Sequence, residues 1–133
     1  MKQLIFITGL ALLLCAATCD NGNRYQLGEP IRLELGGRAI SPHDVMQFVS
    51  VTEDSRCPEY TNCIWEGQVG IQLSIGKDGR ESVKLALHPE QPEAAQRSLG
   101  GYIYRLQKVE PYPKAGQNIR MEDYVITVVV EAI

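Results

Sequence analysis

Apolar and polar side chains alternate along much of this chain, and a period of two residues is typical of β-strands with one buried face. The alternation predicts strands over residues 31–35, 45–52 and 65–75. In the second strand, Met46 and Phe48 are expected on one face, and Val49 and Val51 on the other. In the third strand, the residues expected to share one face are Trp65, Gly67, Val69, Ile71, Leu73 and Ile75.

A hairpin is predicted directly after the third strand. Residues 77–80 read Lys-Asp-Gly-Arg, and Asp-Gly between two alternating segments favours a tight turn, with the chain returning as a strand over 83–87. Residues 88–101 lose the alternation and contain two prolines and a Gly-Gly pair, which indicates a surface crossover with one helical turn at 93–96.

Two further strands complete the prediction, over 102–110 and 124–132. The first is ended by Pro-Tyr-Pro, and the second is apolar on both faces, as expected of a strand inside a two-layer structure. We therefore predict an all-β domain of six or seven strands, either a single antiparallel sandwich or a flattened barrel. An immunoglobulin-like topology is one form of this sandwich, although Cys57 and Cys63 are too close in sequence for the inter-sheet disulfide of that fold.

The N-terminus predicts export. Lys2 precedes an apolar run over 4–14 that is too short to cross a bilayer but is typical of a secretory signal. Small residues before Cys19 make residues 1–18 resemble a bacterial lipoprotein signal, after whose removal Cys19 would be acylated. Ordinary signal cleavage near Thr18, releasing a soluble product, is the alternative.

The number of cysteines supports a lipid on Cys19. A chain that begins at Cys19 has three cysteines, and an odd number leaves one reactive thiol in an oxidising compartment unless that thiol is modified. A disulfide between Cys57 and Cys63 together with a lipid on Cys19 leaves no free thiol. The Cys-x5-Cys spacing fits neither a zinc site nor a thioredoxin-like redox motif, so neither is expected.

Length and charge restrict the organisation and the partners. Removal of residues 1–18 leaves 115 residues, which we expect to comprise the anchor cysteine with its tether over 19–26 and one domain over 27–133. This part has 12 basic and 16 acidic residues, a formal charge of −4, and no basic patch with interleaved aromatic residues. The composition therefore argues against nucleic acid as a partner.

Catalytic and metal-binding motifs are not recognisable in the sequence. His43 and His88 lie in turn-like segments, and the adjacent carboxylates at 53–54 and 122–123 are not organised as a calcium loop. We expect no catalytic residue, no metal and no cofactor. An enzyme that uses carboxylates in a cleft is retained as a less favoured interpretation.

Two short motifs carry a resemblance. Residues 54–58 read Asp-Ser-Arg-Cys-Pro, and residues 63–67 read Cys-Ile-Trp-Glu-Gly. This D-S-R-C-P and C-x-W-x-G pair resembles the signature of a largely uncharacterised family of small exported bacterial proteins, many of them lipoproteins. The similarity covers most of the chain after Leu27, and it implies an exported β domain without a mechanism.

The two motifs allow two interpretations. In the first, Asp54 pairs with Arg56 at the start of a loop, the disulfide fixes its end and Trp65 packs behind the bridge, so that the segment is a rigid corner. In the second, the same corner displays a recognition loop. The residues assigned to the structural motif are Asp54, Arg56, Pro58, Trp65 and Gly67, and those of the candidate binding loop are Glu59, Tyr60, Thr61 and Asn62.

The sequence thus favours a lipid-anchored, non-catalytic β-sandwich of the cell envelope, exposed to the periplasm or the cell surface, that acts as a binding or structural module. Its expected partners are the membrane, through the lipid, and a protein or a glycan. Tyr102 and Tyr104 share a predicted strand face and are expected in the core or at its rim, with a sugar-stacking surface as the alternative. The alternative function is inhibition of an envelope or host hydrolase by the Cys57 to Cys63 loop.

Overall fold

The computed structural model describes residues 23–133, which form two β-sheets packed face to face around one core. The first sheet has the strand order β1-β3-β4-β5-β6, in which only β1 and β3 pair in parallel. Its strands are β1 Asn23–Arg24, β3 Arg38–Ile40, β4 Val45–Asp54, β5 Val69–Ile75 and β6 Glu81–Leu87.

The second sheet is antiparallel throughout, with the order β2-β9-β8-β7. Its strands are β2 Pro30–Glu34, β7 Gln96–Leu99, β8 Tyr102–Glu110 and β9 Val125–Ala132. Neither sheet closes on itself, so the predicted all-β sandwich is confirmed and the flattened barrel is not formed.

Both sheets contribute alternate side chains to the core. The exposed and buried positions of β2 alternate strictly, and β5 and β9 are buried over most of their length because they lie inside their sheets. The largest side chains that are wholly buried are Tyr104, Phe48, Leu33, Met46, Ile71, Leu73, Leu85 and Ile126. Such burial of apolar area is the main source of stability in a domain of this size.

A β-bulge changes the predicted faces of β4. Phe48 pairs with Leu73 and Ser50 pairs with Gln72, so Val49 is the extra residue between them. The bulge shifts the alternation by one residue. As a result Val51 joins Met46 and Phe48 in the core, whereas Val49 is exposed.

The chain joins the domain earlier than the expected boundary at residue 27. Asn23–Arg24 pairs with β3, and Tyr25 is only 7% exposed, with its amide hydrogen-bonded to the Ile40 carbonyl. Residues 23–26 were expected in the tether but belong to the fold, because the Tyr25 ring fills the core. The predicted signal over 1–18 and Cys19 lie outside the described residues.

The crossover after β6 contains more structure than expected. A 3-10 helix over Pro92–Ala95 replaces the helical turn predicted at 93–96, and it is followed by the short strand β7. The four residues of β7 are mostly exposed because the strand lies at the edge of its sheet. They therefore lack the alternation of apolar and polar side chains that predicts a strand. The hairpin of β5 and β6 is confirmed, with Gly79 at φ +63° in its turn.

In the part of the chain that the structure describes, no helix is long and apolar enough to cross a membrane.

Candidate functional site

Several loops meet at one end of the sandwich. Asp54 pairs with Val69, and Val69 pairs with Leu87, so β4 ends, β5 begins and β6 ends at the same level. In the other sheet, Glu110 at the end of β8 pairs with Val125 at the start of β9. Both sequence motifs lie in the loop between β4 and β5, at this end.

Arg56 joins the two sheets at this end. Its Nε and Nη2 donate to the two carboxylate oxygens of Asp54, each at 2.8 Å, and the two side chains are only 9% and 10% exposed. The guanidinium also donates to the Val109 carbonyl at 2.8 Å and to the Pro111 carbonyl at 3.0 Å. It lies over the Tyr112 ring, 5.1 Å from the ring centre. The predicted ion pair is therefore present, and it binds the β4–β5 loop to the end of β8.

Tyr124 completes the environment of the Asp54 carboxylate by donating its hydroxyl hydrogen to Oδ2 at 2.8 Å. Burial raises the pKa of Asp54, but hydrogen bonds from Arg56 and Tyr124 and the charge of Arg56 outweigh it, so the net pKa lies below the ordinary value. Burial and the nearby carboxylate raise the pKa of Tyr124 to about 12. At neutral pH the cluster therefore contains an ionised Asp54 and a protonated Tyr124.

The lowered pKa of Asp54 predicts an acid-dependent loss of stability. Its contribution is fully present above the unfolded pKa of about 3.9 and is lost as pH falls through the lower folded pKa, because the unfolded chain then binds the proton more readily. The free energies of unfolding of wild type and Asp54→Asn, measured in urea, should therefore differ by a constant amount above about pH 5. This difference should become smaller below about pH 4. A difference that stays constant down to about pH 2 would contradict the assignment.

The loop is fastened at further points. A disulfide joins Cys57 to Cys63 as predicted, with their Cα atoms 5.9 Å apart. The Tyr112 hydroxyl donates to the Cys57 carbonyl at 2.9 Å, and the Glu59 amide donates to the Pro113 carbonyl at 3.0 Å. The loop is thus held both within itself and against the segment that follows β8.

Gly67 closes the loop by close backbone contact. A Cβ atom at this position would lie 1.6 Å from the Ser55 carbonyl oxygen, a distance that only a shift of the backbone could relieve. Ser55 and Gln68 exchange hydrogen bonds beside it, from the Ser55 amide to the Gln68 carbonyl at 2.8 Å and from the Gln68 amide to the Ser55 hydroxyl oxygen at 3.1 Å. The glycine of the second motif is therefore required by the crossing of two chain segments.

Trp65 lies elsewhere than the sequence pattern predicted. It was expected on the buried face of β5 and behind the disulfide, but it is 72% exposed. The pairing of β4 with β5 ends at Asp54 and Val69, so residues 64–68 lie in the loop before β5 and not in the sheet. The apparent alternation from Trp65 to Val69 therefore does not correspond to a strand.

The loop displays large apolar side chains to solvent. Tyr60 is fully exposed and has a φ of +61°, at a turn in which the Thr61 amide donates to the Pro58 carbonyl at 3.3 Å. Ile64 is 94% exposed and directly precedes the exposed Trp65. Three of the most exposed large apolar residues in the described chain thus lie within six positions of one another.

A cleft of about 910 Å³ opens beside this loop. One wall is the loop itself, a second is the segment from the end of β6 into the 3-10 helix, and the third is the end of β8 with the residues after it. Large or apolar side chains from all three walls line it, among them Trp65, Leu87, Pro89, Pro92 and Tyr112.

The cleft contains some predicted site residues and some that the sequence did not reveal. From the candidate binding loop, Thr61 and Asn62 line it, whereas Glu59 and Tyr60 lie outside the lining. The structural motif contributes Arg56, Trp65 and Gly67. His88 and two prolines of the second wall were not predicted, and the only signal for them was the Pro-Glu-Gln-Pro run that begins at Pro89.

The remaining candidate side chains are distributed over the molecule. The His43 ring lies 5.9 Å from the Tyr102 ring. Glu53 accepts a hydrogen bond from Gln68 at 2.7 Å, and Asp123 is paired with Arg120 at 3.0 Å. Within residues 23–133, no group of three or more His, Cys, Asp or Glu residues is placed to hold a metal ion.

The tyrosines do not converge on one surface. Tyr104 is buried in the core and donates its hydroxyl hydrogen to Asp44 at 2.6 Å, and burial raises its pKa. Tyr102 packs against the same core from its rim, as predicted. Tyr60 lies in the disulfide loop and Tyr112 contacts that loop, and because Tyr104 is buried an aromatic platform built on Tyr102 and Tyr104 is not formed.

Comparison of the chain with protein-family models, with curated proteins and with solved structures gave no match. The resemblance carried by the two motifs therefore remains a prediction.

Proposed function

We propose that this chain is a non-catalytic binding module of the cell envelope, anchored through a lipid on Cys19, that takes a protein ligand at the disulfide loop and the cleft beside it. The observation that carries the proposal is the display of Tyr60, Ile64 and Trp65 from a loop that is fastened to the rest of the fold. Clustered exposed apolar residues of this size are typical of interaction sites.

The fastening explains why such a loop suits binding. Ordering a flexible loop on association costs free energy, and a loop that is already ordered avoids that cost. The disulfide, the Asp54–Arg56 pair and the Tyr112 hydrogen bond each restrict the loop before any ligand arrives. The two interpretations of the motifs are then compatible, since the rigid corner is what presents the recognition residues.

Photo-crosslinking in cells tests the proposed site. A photoreactive phenylalanine analogue replaces Tyr60 or Trp65 in the full chain, and the same replacement of Asp78, in the β5–β6 turn at the other end of the sandwich, is the control. We expect one protein partner to be captured from positions 60 and 65 and not from 78. Equal capture from all three positions, or none from 60 and 65, would refute the site.

The lipid anchor predicts a defined modification. Mass spectrometry of the protein purified from its native cells should find an N-terminal Cys19 carrying a diacylglyceryl group, because this would use the third cysteine of the exported chain. The Cys19→Ser variant should leave the membrane fraction, while a Cys15→Ser variant should remain in it. An unmodified residue after Thr18 would contradict the anchor.

Hydrolase inhibition is a second candidate, favoured by the position of Tyr60 at the tip of the loop. A fully exposed side chain on a short cross-linked loop is suited to enter an active site. Tyr60→Ala or the Cys57→Ser/Cys63→Ser pair should abolish inhibition, whereas Val49→Ala on the exposed face of β4 should not. Absence of inhibition across a panel of envelope and host hydrolases would remove this candidate.

A further inference from the structure

The charges around the cleft are unbalanced. Four exposed carboxylates, on Glu59, Glu66, Glu90 and Glu93, belong to its walls or directly adjoin them, and none of them forms an ion pair with another residue in 23–133. Lys114 adjoins the loop and carries a positive charge. The rim of the cleft therefore carries a net negative charge.

The other charged residues of the cleft form ion pairs among themselves. Arg56 is paired with Asp54. Glu110 is paired with Arg32 at 2.6 Å and with Lys108 at 3.1 Å. Because Glu110 is one carboxylate between two cations, its group carries one positive charge. Together with Lys114 this charge offsets two of the four glutamates, so about two negative charges remain in excess around the cleft, and charge complementarity favours a cationic ligand.

The lining indicates the shape of that ligand. Trp65 and Tyr112 supply exposed aromatic surface in the same cleft, and Pro89 and Pro92 add rigid apolar surface from another of its walls. Aromatic-lined grooves of this kind bind peptides in the polyproline II conformation, because that helix is already extended and loses little entropy on docking.

Polar side chains of the cleft suit the backbone of such a peptide. A polyproline II segment makes no internal hydrogen bonds, so its carbonyl groups need partners when they are desolvated. Asn62 and Gln107 line the cleft and carry amide groups that can donate to those carbonyls.

We infer that the cleft binds an extended, proline-containing peptide segment that carries lysine or arginine, presented by a protein partner. This inference rests on the proposed function and adds the chemical class of the ligand. The aromatic and proline surfaces take the apolar residues of the segment, and the glutamates at the rim take its positive charges.

Selection from a peptide library tests the inference. Random peptides of about twelve residues displayed on phage are selected on the full chain, purified with its N-terminal segment in mild detergent. We expect enrichment of sequences that combine proline with lysine or arginine. Enrichment of acidic sequences, of sequences without proline, or of none at all would overturn the inference, as would binding of neutral oligosaccharides in place of peptides.

Trp65 provides a direct reading of the site because it is the only tryptophan of the chain. A selected peptide should change its fluorescence on titration, and the affinity should fall as salt is raised. The variant Glu66→Gln/Glu90→Gln/Glu93→Gln should bind at least tenfold more weakly than wild type. Glu29→Gln, which removes an exposed charge at the other end of the sandwich, should bind equally well.

The outcomes separate the ligand class from the function. Equal affinity of the triple glutamine variant and wild type would overturn the cationic class, even if a partner is captured by crosslinks at positions 60 and 65. Loss of those crosslinks would refute the binding module itself. Circular dichroism of each variant shows whether a lost affinity arises from unfolding.

Discussion

Replacing Gly67 by alanine should lower the free energy of unfolding by at least about 3 kcal/mol, the largest single effect we expect in this protein. The added Cβ atom would lie 1.6 Å from the Ser55 carbonyl oxygen and 2.8 Å from the Ser55 hydroxyl oxygen. Neither segment can move freely, because Ser55 and Gln68 are hydrogen-bonded beside the contact and β4 and β5 pair directly after it. Urea unfolding of the two proteins measures the difference.

Gly116→Ala is the matched control for this substitution. Gly116 has a φ of +75°, but a Cβ atom there would have no neighbour within 4 Å. Gly116→Ala should therefore lower the free energy of unfolding by only about 1 kcal/mol, the conformational cost of a Cβ atom at positive φ. If Gly67→Ala were no more destabilising than Gly116→Ala, the close crossing at Ser55 would not exist in solution.

Replacing Arg56 by leucine should lower the free energy of unfolding by about 3 kcal/mol. The substitution removes two hydrogen bonds to Asp54 and two to backbone carbonyls at the end of β8, and it leaves a mostly buried carboxylate with Tyr124 as its remaining side-chain donor. Removal of one partner from a buried pair is strongly destabilising because the other charge is left without compensation. Denaturant unfolding at pH 7 gives the value.

A double-mutant cycle separates the pair from the rest of the cluster. Asp54→Leu/Arg56→Leu should be less destabilised than the sum of its single variants, since neither charge is then left alone. Arg120→Leu, which breaks an exposed ion pair with Asp123, should have no measurable effect. Additive single effects at residues 54 and 56 would contradict the coupling.

The fold was predictable from the sequence wherever a strand has one buried and one exposed face. β2 and β6 follow that rule, and their predicted bounds agree closely with the structure. β7 escaped prediction because it is an exposed edge strand of four residues. The burial of Val51 was not predicted either, because the bulge at Val49 depends on pairing with β5 and has no signal in the local sequence.

The candidate site was only partly predictable for a similar reason. The ion pair and the disulfide join residues that are close in sequence, at 54 and 56 and at 57 and 63, and both were expected. The contacts of Arg56 with Val109 and Pro111 span more than fifty residues, so no local pattern reveals them. The cleft depends on those contacts, since they bring the end of β8 against the loop.

The alternation that predicted a buried Trp65 extends beyond the strand that it correctly identified. The spacing of Trp65 from Val69 and Ile71 suits a shared strand face, but the strand begins only at Val69. The glycine at 67 takes part in a backbone crossing there and not in the ladder. A large apolar residue that sequence reasoning placed in the interior is therefore available to a partner.

The early start of the fold has a consequence for the orientation of the domain. Asn23–Arg24 pairs with β3 at the end of the sandwich where β4 begins, and the cleft lies where β4 ends, ten residues later. At about 3.3 Å per residue, β4 spans roughly 30 Å. The four peptide units from Cys19 to Asn23 reach at most about 14 Å. A lipid on Cys19 would therefore keep Asn23 within about 14 Å of the bilayer, a shorter distance than the one from Asn23 to the far end of β4, so the bilayer could not lie across the cleft and would leave its mouth open to molecules in the aqueous phase.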